Sequence, residues 1–199
     1  MRRQRAQHAL GFRLARHALG CAAALLAFAL LASASVEARG LSAAEASALA
    51  PRANGYAKAL ASRSGQGIVA LMPPKVLAQM AERQGKAQAA VRSALASEVS
   101  RELRRFEIKG VTVDVAAADR RSLSDGTTIA LVPTRTKVAV PLVGVVEELS
   151  RTLALRDGGQ WYLIRVEDAD QRRMVSRAYP GFQGVSIPGA TFRMLGRGQ

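Results

Sequence analysis

The sequence predicts an α+β fold in which N-terminal helices pack on a curved, cone-like antiparallel sheet. Two observations lead to this prediction. Apolar residues recur every three or four positions as far as Leu103, and from Phe106 onwards they alternate with polar residues between glycine-containing turns. Helices first and a meander of strands afterwards are the order of an α+β domain.

The helical part begins with the alanine-rich segment Leu41–Ser62, which Pro51 interrupts. A loop-like stretch follows, and Pro73-Pro74 then suits the first turn of a second helical region. That region carries one apolar stripe, and Gly85 is expected to divide it into two helices. We expect these helices to cover one face of the sheet.

The strand part is marked by alternating apolar residues and by turn signals. Pro133 in the second strand predicts a bulge or an edge position, because proline cannot donate a ladder hydrogen bond. Asp157-Gly158-Gly159 predicts a tight hairpin. A short helix, Ala169–Ala178, and an extended stretch near Val185–Phe192 complete the chain. The four predicted strands are Phe106–Val115, Thr127–Val140, Val145–Arg156 and Gln160–Glu167.

The first 38 residues predict a secretory signal peptide. Five arginines precede an uncharged segment, Ala18–Val36, that is rich in alanine and leucine, and small residues follow it. A basic start, a short apolar core and small residues before the cut are the three parts of such a signal. We expect cleavage after Ala38, with Ala34 as the alternative, and hence a periplasmic or secreted protein. Retention of the segment as a membrane anchor is the other reading.

Removing the signal peptide leaves one predicted domain, residues 39–199, and no further transmembrane segment. It also removes Cys21 and both histidines, His8 and His17, which are the only residues of their types in the chain. Without a thiol or an imidazole the domain lacks the groups for Cys–His or Ser–His catalysis and the ligands that zinc prefers. We therefore expect no metal and no cofactor, which leaves carboxylates, tyrosine, lysine and arginine for any chemistry.

The charge of the chain points to anionic partners. The 199 residues carry a net charge of +14, and the 161 residues after Ala38 carry 24 basic and 14 acidic side chains, a net charge of +10. This balance favours a small ligand, another envelope protein or an anionic component of the envelope as partner. The basic residues are spread along the chain with few aromatic residues between them, so we expect no specific binding of nucleic acid.

The segment Leu153–Leu163, with the sequence LALRDGGQWYL, resembles a hairpin of exported bacterial members of the nuclear-transport-factor-2-like superfamily, which are cystatin-like α+β cones. The order of elements agrees with this, as does Tyr179-Pro180-Gly181 after a short helix. The resemblance implies a cone-shaped sheet wrapped on helices, with a pocket inside. It does not imply one activity, because the superfamily includes enzymes, ligand binders and assembly modules.

Some enzymes of that superfamily abstract a proton with a pocket carboxylate, assisted by an acid or a tyrosine. The resemblance implies Asp114, Glu148 and Tyr162 as candidates for such roles, with Glu147 as a neighbour of the second. The chemistry needs a carboxylate with a raised pKa in an apolar cavity. The parity of Asp114 predicts a solvent-facing side chain, and the two glutamates lie near a turn, where exposed charge is ordinary.

Candidate ligand-binding residues are Arg135, Arg151, Trp161 and Arg165. Trp161 is adjacent to Tyr162 in one strand, so the two point to opposite faces. If the arginines converge, they form a basic patch suited to a phosphate or a carboxylate. The alternative is a solvated sheet face on which they pair with acidic side chains of neighbouring strands.

These observations favour an exported, non-enzymatic α+β protein that binds a ligand or a partner in the periplasm. One alternative is a cofactor-free isomerase or lyase that uses a pocket carboxylate and a tyrosine. It requires a deep apolar pocket with Asp114 or Glu148 beside a tyrosine. The other alternative is an accessory protein that docks on anionic envelope components through a basic face.

Overall fold

A computed structural model of the protein describes residues 40–196, all within one compact unit. The predicted signal peptide, with cleavage after Ala38 or Ala34, lies outside the described residues. Among residues 40–196 no helix is both long and apolar enough to cross a membrane. The helices are α1 (Ala43–Ala61), α2 (Gly65–Ala70), α3 (Pro74–Gln84), α4 (Gln88–Leu103) and, late in the chain, α5 (Ala169–Ala178).

One antiparallel sheet follows the first four helices, so the predicted α+β class is confirmed. Its order is β1-β3-β4-β5, with β2 beside β1 along β3, and β6 beside β5 along β4. The sheet is strongly curled, a half-barrel, and α1 packs against both β1 and β5 at its opposite edges. The strands are β1 (Glu107–Val113), β2 (Asp119–Ser122), β3 (Thr128–Val140), β4 (Gly144–Asp157), β5 (Gln160–Arg165) and β6 (Thr191–Met194).

Local sequence explains where the first helices begin and end. Ser42 Oγ accepts from the Glu45 amide at 3.2 Å, and Glu45 Oε2 accepts from the Ser42 amide at 2.9 Å, which together form a capping box at the start of α1. Pro74 lies in the first turn of α3, and Gly85 ends this helix with a φ of 59°. The predicted division at Gly85 is therefore confirmed. Pro51 lies inside α1 and does not interrupt it.

Pro133 lies in the middle of β3, a central strand, and not at the predicted bulge or edge. Its ladder with β4 is continuous, with Pro133 opposite Arg151. On the other side the neighbouring strand changes here from β1, which ends at Val113, to β2, which begins at Asp119. The Pro133 carbonyl accepts from the Asp114 amide at 2.9 Å. Amide and carbonyl of one residue point the same way in an antiparallel strand, so the missing N–H faces the gap between β1 and β2.

Helices cover both faces of the sheet at one end, which corrects the prediction of a single covered face. We name these the α1 face and the α5 face. The apolar run Ile129–Val132 presents side chains to both faces, and each of them therefore needs cover. The α1-face core contains Leu49, Tyr56, Leu60, Leu71, Ala130, Val132, Ala154, Trp161 and Leu163, and the α5-face core contains Val76, Ile129, Leu131, Leu153, Leu155, Ile164, Val175, Tyr179 and Phe182.

The opposite end of the sheet differs in composition. We call it the far end; it comprises residues 134–140 of β3, residues 144–149 of β4 and the turn between them. On the α5 face it carries the exposed side chains of Arg135 and Lys137, where the covered end carries isoleucine and leucine. The two ends meet at Pro133.

Candidate functional site

A cleft lies along the edge of β4, where two neighbouring strands do not meet. The ladder with β6 stops at Leu149 and the ladder with β5 stops at Thr152, so Ser150 and Arg151 lie between them. Together with the segment 187–190 and α5 they line a cleft of about 190 Å³, and a second cleft of about 320 Å³ adjoins it on the β3 side. We call both together the arginine cleft, after the residues Arg135, Arg151, Arg165 and Arg172 that line it.

Three of the four predicted ligand-binding residues line the arginine cleft: Arg165 the smaller part, Arg135 the larger part, and Arg151 both. Arg151 is opposite Pro133, and Arg135 follows two residues later on the same face of β3. Arg165 is opposite Thr152, so it enters from the end of β5. The sequence did not single out Arg172, because its position depends on how α5 packs.

Arg165 is engaged by acidic neighbours. Its Nη2 donates to Glu148 Oε1 and also pairs with Glu167 Oε1. Burial disfavours the charged guanidinium, but the two carboxylates outweigh this effect and raise the pKa of Arg165. Its Nε is buried and has no hydrogen-bond partner. The positive charge of Arg165 is therefore neutralised by the two glutamates, and its buried Nε–H is left without an acceptor.

The other three arginines of the cleft are differently placed. Within residues 40–196 no carboxylate lies at salt-bridge distance from Arg135, Arg151 or Arg172. By contrast, Arg121 pairs with Asp119 of the same strand at 2.6 Å. Unpaired guanidinium groups in a partly enclosed site suit an anion, since each offers a planar fork of donors.

A polar cluster lies behind the cleft on the α1 face. Thr134 Oγ1 and Thr152 Oγ1 are 2.8 Å apart and share a hydrogen bond. Burial raises the pKa of Tyr56 to about 12, against the nearby charge of Arg165. The negative charge of Glu148 also raises the pKa of Tyr56, so this glutamate lies near Tyr56. Tyr162, the tyrosine that the sequence offered as a candidate, is on the α5 face. Tyr56 is not among the residues that the sequence singled out as candidates.

Asp114 is separated from Glu148 by the sheet. It continues the register of β1 opposite Pro133, on the α5 face, whereas Glu148 lies on the α1 face. Its Oδ1 accepts from the Ala117 amide at 3.1 Å and so closes the turn after β1. The structure therefore gives Asp114 a local structural contact and does not bring it to Glu148.

The aromatic pair in β5 divides between the two faces as predicted. Trp161 is 2 % exposed in the α1-face core, and its carbonyl accepts from Arg52 Nε at 2.8 Å. Tyr162 is half-buried on the α5 face, 5.3 Å from the Arg52 guanidinium, and its hydroxyl donates to Gln160. Neither ring lines the arginine cleft.

Comparisons with known proteins add no assignment. No protein-family model matches the sequence, and comparisons with curated proteins and with solved structures give no significant match. In the part of the chain that the structure describes, no three His, Cys, Asp or Glu side chains are grouped closely enough to hold a metal ion.

Proposed function

We propose that the chain is an exported, non-enzymatic periplasmic protein that binds an anionic small ligand in the arginine cleft. The observation that carries this proposal is that Arg151 lines both parts of the cleft, beside Arg172 in the smaller part and Arg135 in the larger, and that none of the three has a carboxylate at salt-bridge distance among residues 40–196. Carboxylate and phosphate groups are the ligands that such forks of donors recognise. The larger part of the cleft, about 320 Å³, is at the lower end of the size of small-molecule sites.

The interior of the curled sheet favours this proposal over an isomerase or lyase. The space between α1 and the sheet is filled by buried side chains such as Leu49, Val132 and Leu163. Glu148 accepts from Arg165 and thus has an oxygen already occupied. A general base needs an accessible carboxylate in an apolar cavity. The filled interior and the engaged carboxylate of Glu148 do not meet this requirement.

Affinity measurements on matched variants test the ligand proposal. Calorimetric titration of the chain from Arg39 with inorganic phosphate, pyrophosphate and citrate is expected to show saturable binding of at least one anion. The double variant R151Q/R172Q should weaken it at least tenfold, because each charge-assisted contact contributes about 1.5 to 3 kcal/mol.

The control is R101Q/R177Q, which removes the same charge from exposed positions of α4 and α5 that do not line the cleft. It should bind as the unchanged chain does. Equal losses in the two double variants would assign any binding to net charge alone, and no binding of the three anions by the unchanged chain would contradict the proposal.

We also propose that the fold is a member of the nuclear-transport-factor-2-like superfamily and that the protein is exported through its signal peptide, which is cleaved after Ala38. A half-barrel that wraps a first helix, and the Gly158-Gly159 hairpin, support the first of these. The signal pattern of residues 1–38 supports the second. N-terminal sequencing of the protein from a periplasmic fraction should begin at Arg39, whereas an intact Met1 would contradict export by cleavage.

A further inference from the structure

The exposed large apolar side chains of residues 40–196 all lie in the far end of the sheet or in the segments beside it, before β1 and along β6. Leu142 is 98 % exposed, Phe192 71 % and Met194 64 %. Contiguous exposure of this kind marks an interaction surface, whereas single exposed apolar residues are ordinary. The six side chains are Phe106, Leu142, Val143, Phe192, Met194 and Leu195.

A row of apolar residues, half-buried in β1, β3 and β4 and exposed in β6, joins these side chains into one surface. Ile108 is opposite Val138, Val138 is opposite Val146, and Val146 is opposite Met194, so four strands contribute to the row. All of these residues lie on the α1 face. We call the six exposed side chains together with this row the apolar end.

The turn between β3 and β4 projects one side chain outward. Leu142 has a φ of 67°, in the left-handed region where glycine and asparagine are usual. This conformation costs about 1 kcal/mol or more for a branched side chain. Since the side chain is almost fully exposed, packing within the domain does not offset that cost. Strain of this kind is typical of functional positions.

Basic side chains surround the apolar end. Arg105 and Lys109 line a groove of about 470 Å³ beside the turn, together with Pro141 and other residues of the hairpin. Arg104 is exposed at the end of α4, and Arg193 lies in β6 between two apolar residues. Arg105, Lys109 and Arg193 each pair with a glutamate, and Arg104 is the one cation of these four without a carboxylate at salt-bridge distance within residues 40–196. The chain from Arg39 nevertheless carries a net charge of +10. Apolar side chains rimmed by cations are the composition of a surface that binds anionic lipid.

We propose that the apolar end docks on an anionic phospholipid bilayer, with Leu142 and Val143 inserted below the headgroups and the surrounding arginine and lysine side chains on the lipid phosphates. A bilayer is a better partner than a second copy of the domain for a single leucine that projects from a turn. Two domains of charge +10 with basic rims repel one another. This surface is separate from the arginine cleft, so neither proposal depends on the other.

Vesicle flotation tests the docking. The probe is the chain from Arg39, because the described residues and both cores belong to one compact unit and residues 18–36 would themselves bind lipid. It should float with vesicles of phosphatidylglycerol and phosphatidylcholine, less with phosphatidylcholine alone, and less at high salt. L142S/V143S should lower partitioning about tenfold or more, because the inserted apolar area is lost. A116S/A117S, in the exposed loop after β1, is the control and should leave partitioning unchanged.

A tryptophan at the tip distinguishes insertion from charge attraction alone. L142W should give blue-shifted emission on anionic vesicles and quenching by brominated acyl chains, whereas A117W should show neither.

R104Q/R105Q should weaken flotation more than R83Q/R177Q, which changes the same charge on α3 and α5. The proposal is overturned by absence of flotation, by unshifted emission of vesicle-bound L142W, or by a concentration-dependent dimer that L142S/V143S abolishes.

Discussion

Arg165 at the end of β5 donates to Glu148 of β4, four residues along β4 from Thr152, which lies directly opposite the arginine. The pair thus crosses the edge of β4 just where the backbone ladder has stopped. It ties the last residue of β5 to the far end of the sheet and forms the back of the arginine cleft. Arg165 is thus engaged by acidic side chains, whereas Arg151 and Arg172 have no carboxylate at salt-bridge distance within residues 40–196.

Replacing Glu148 with glutamine should destabilise the domain. The carboxylate is largely buried, and its loss leaves Arg165 with only the more exposed Glu167 as an acidic partner. We expect the free energy of unfolding, measured by urea denaturation, to fall by about 1 to 3 kcal/mol. Glu167→Gln is the matched control and should cost less than about 1 kcal/mol. Equal effects would mean that the two carboxylates hold Arg165 alike.

Replacing Gly65 with alanine should be more severe. A Cβ at this position would lie 2.0 Å from the Ala96 carbonyl oxygen and 2.6 Å from Ser100 Oγ, so α2 and α4 would have to separate. The Gly65 amide also donates to Ser100 Oγ at 2.8 Å. We expect a loss of about 2 kcal/mol or more in thermal or urea unfolding. Gly110→Ala, where nothing lies within 4 Å of the new Cβ, is the control and should lose less. A folded Gly65→Ala of unchanged stability would contradict the close helix contact.

Alkaline pH should destabilise the domain through Tyr56. Burial raises its pKa to about 12 in the folded state, so the unfolded chain ionises first as pH rises above 10. The stability that the neutral tyrosine contributes is complete below pH 10 and is lost as pH rises to about 12. Tyr56→Phe should flatten the fall in unfolding free energy across this interval by about 2 kcal/mol. An identical pH profile for Tyr56→Phe would show that the hydroxyl is not buried as described.

Acidic pH should act on the capping box of α1. The Ser42 amide, and then Arg120, hold the pKa of Glu45 below its usual value of 4.5. Its contribution is therefore present above about pH 4.5 and is lost as pH falls through the lower folded value. Glu45→Gln should reduce stability by about 1 kcal/mol at pH 7 and remove this part of the acid sensitivity. Glu98→Gln, at an exposed position of α4, should leave both unchanged.

The helices and long strands were predictable because their signals are local. Helix α5 has the predicted bounds because Asp168 caps it, its carboxylate accepting from the Gln171 amide at 2.7 Å. Strand β2 was missed because its sequence, DRRS, is charged and lacks alternating apolar residues. Arg121 pairs within the strand with Asp119, but Arg120 pairs with Glu45 of α1, a partner distant in sequence that no local pattern indicates.

Two further features of the sheet have a signal in the local sequence. The unbroken apolar run Ile129–Val132 is typical of a strand that is buried on both faces. The two-residue turn at Gly158-Gly159 fixes the β4–β5 register, and with it the position of Arg165 opposite Thr152. The arrival of Arg172 and of the segment 187–190 at the cleft has no such local signal, because it depends on how α5 packs.

Pro133 also separates two regions with different expected rates of amide hydrogen exchange. The amides of Ile129–Val132 lie between two layers of helices and should exchange only when the whole domain unfolds. Beyond Pro133 the strand has no helix layer on its α5 face, and local opening there should be sufficient for exchange. The proline has no exchangeable amide proton of its own, and its only bond to the neighbouring strand on that side is the one its carbonyl accepts from Asp114. The far end of the sheet is then expected to be more flexible than the covered end.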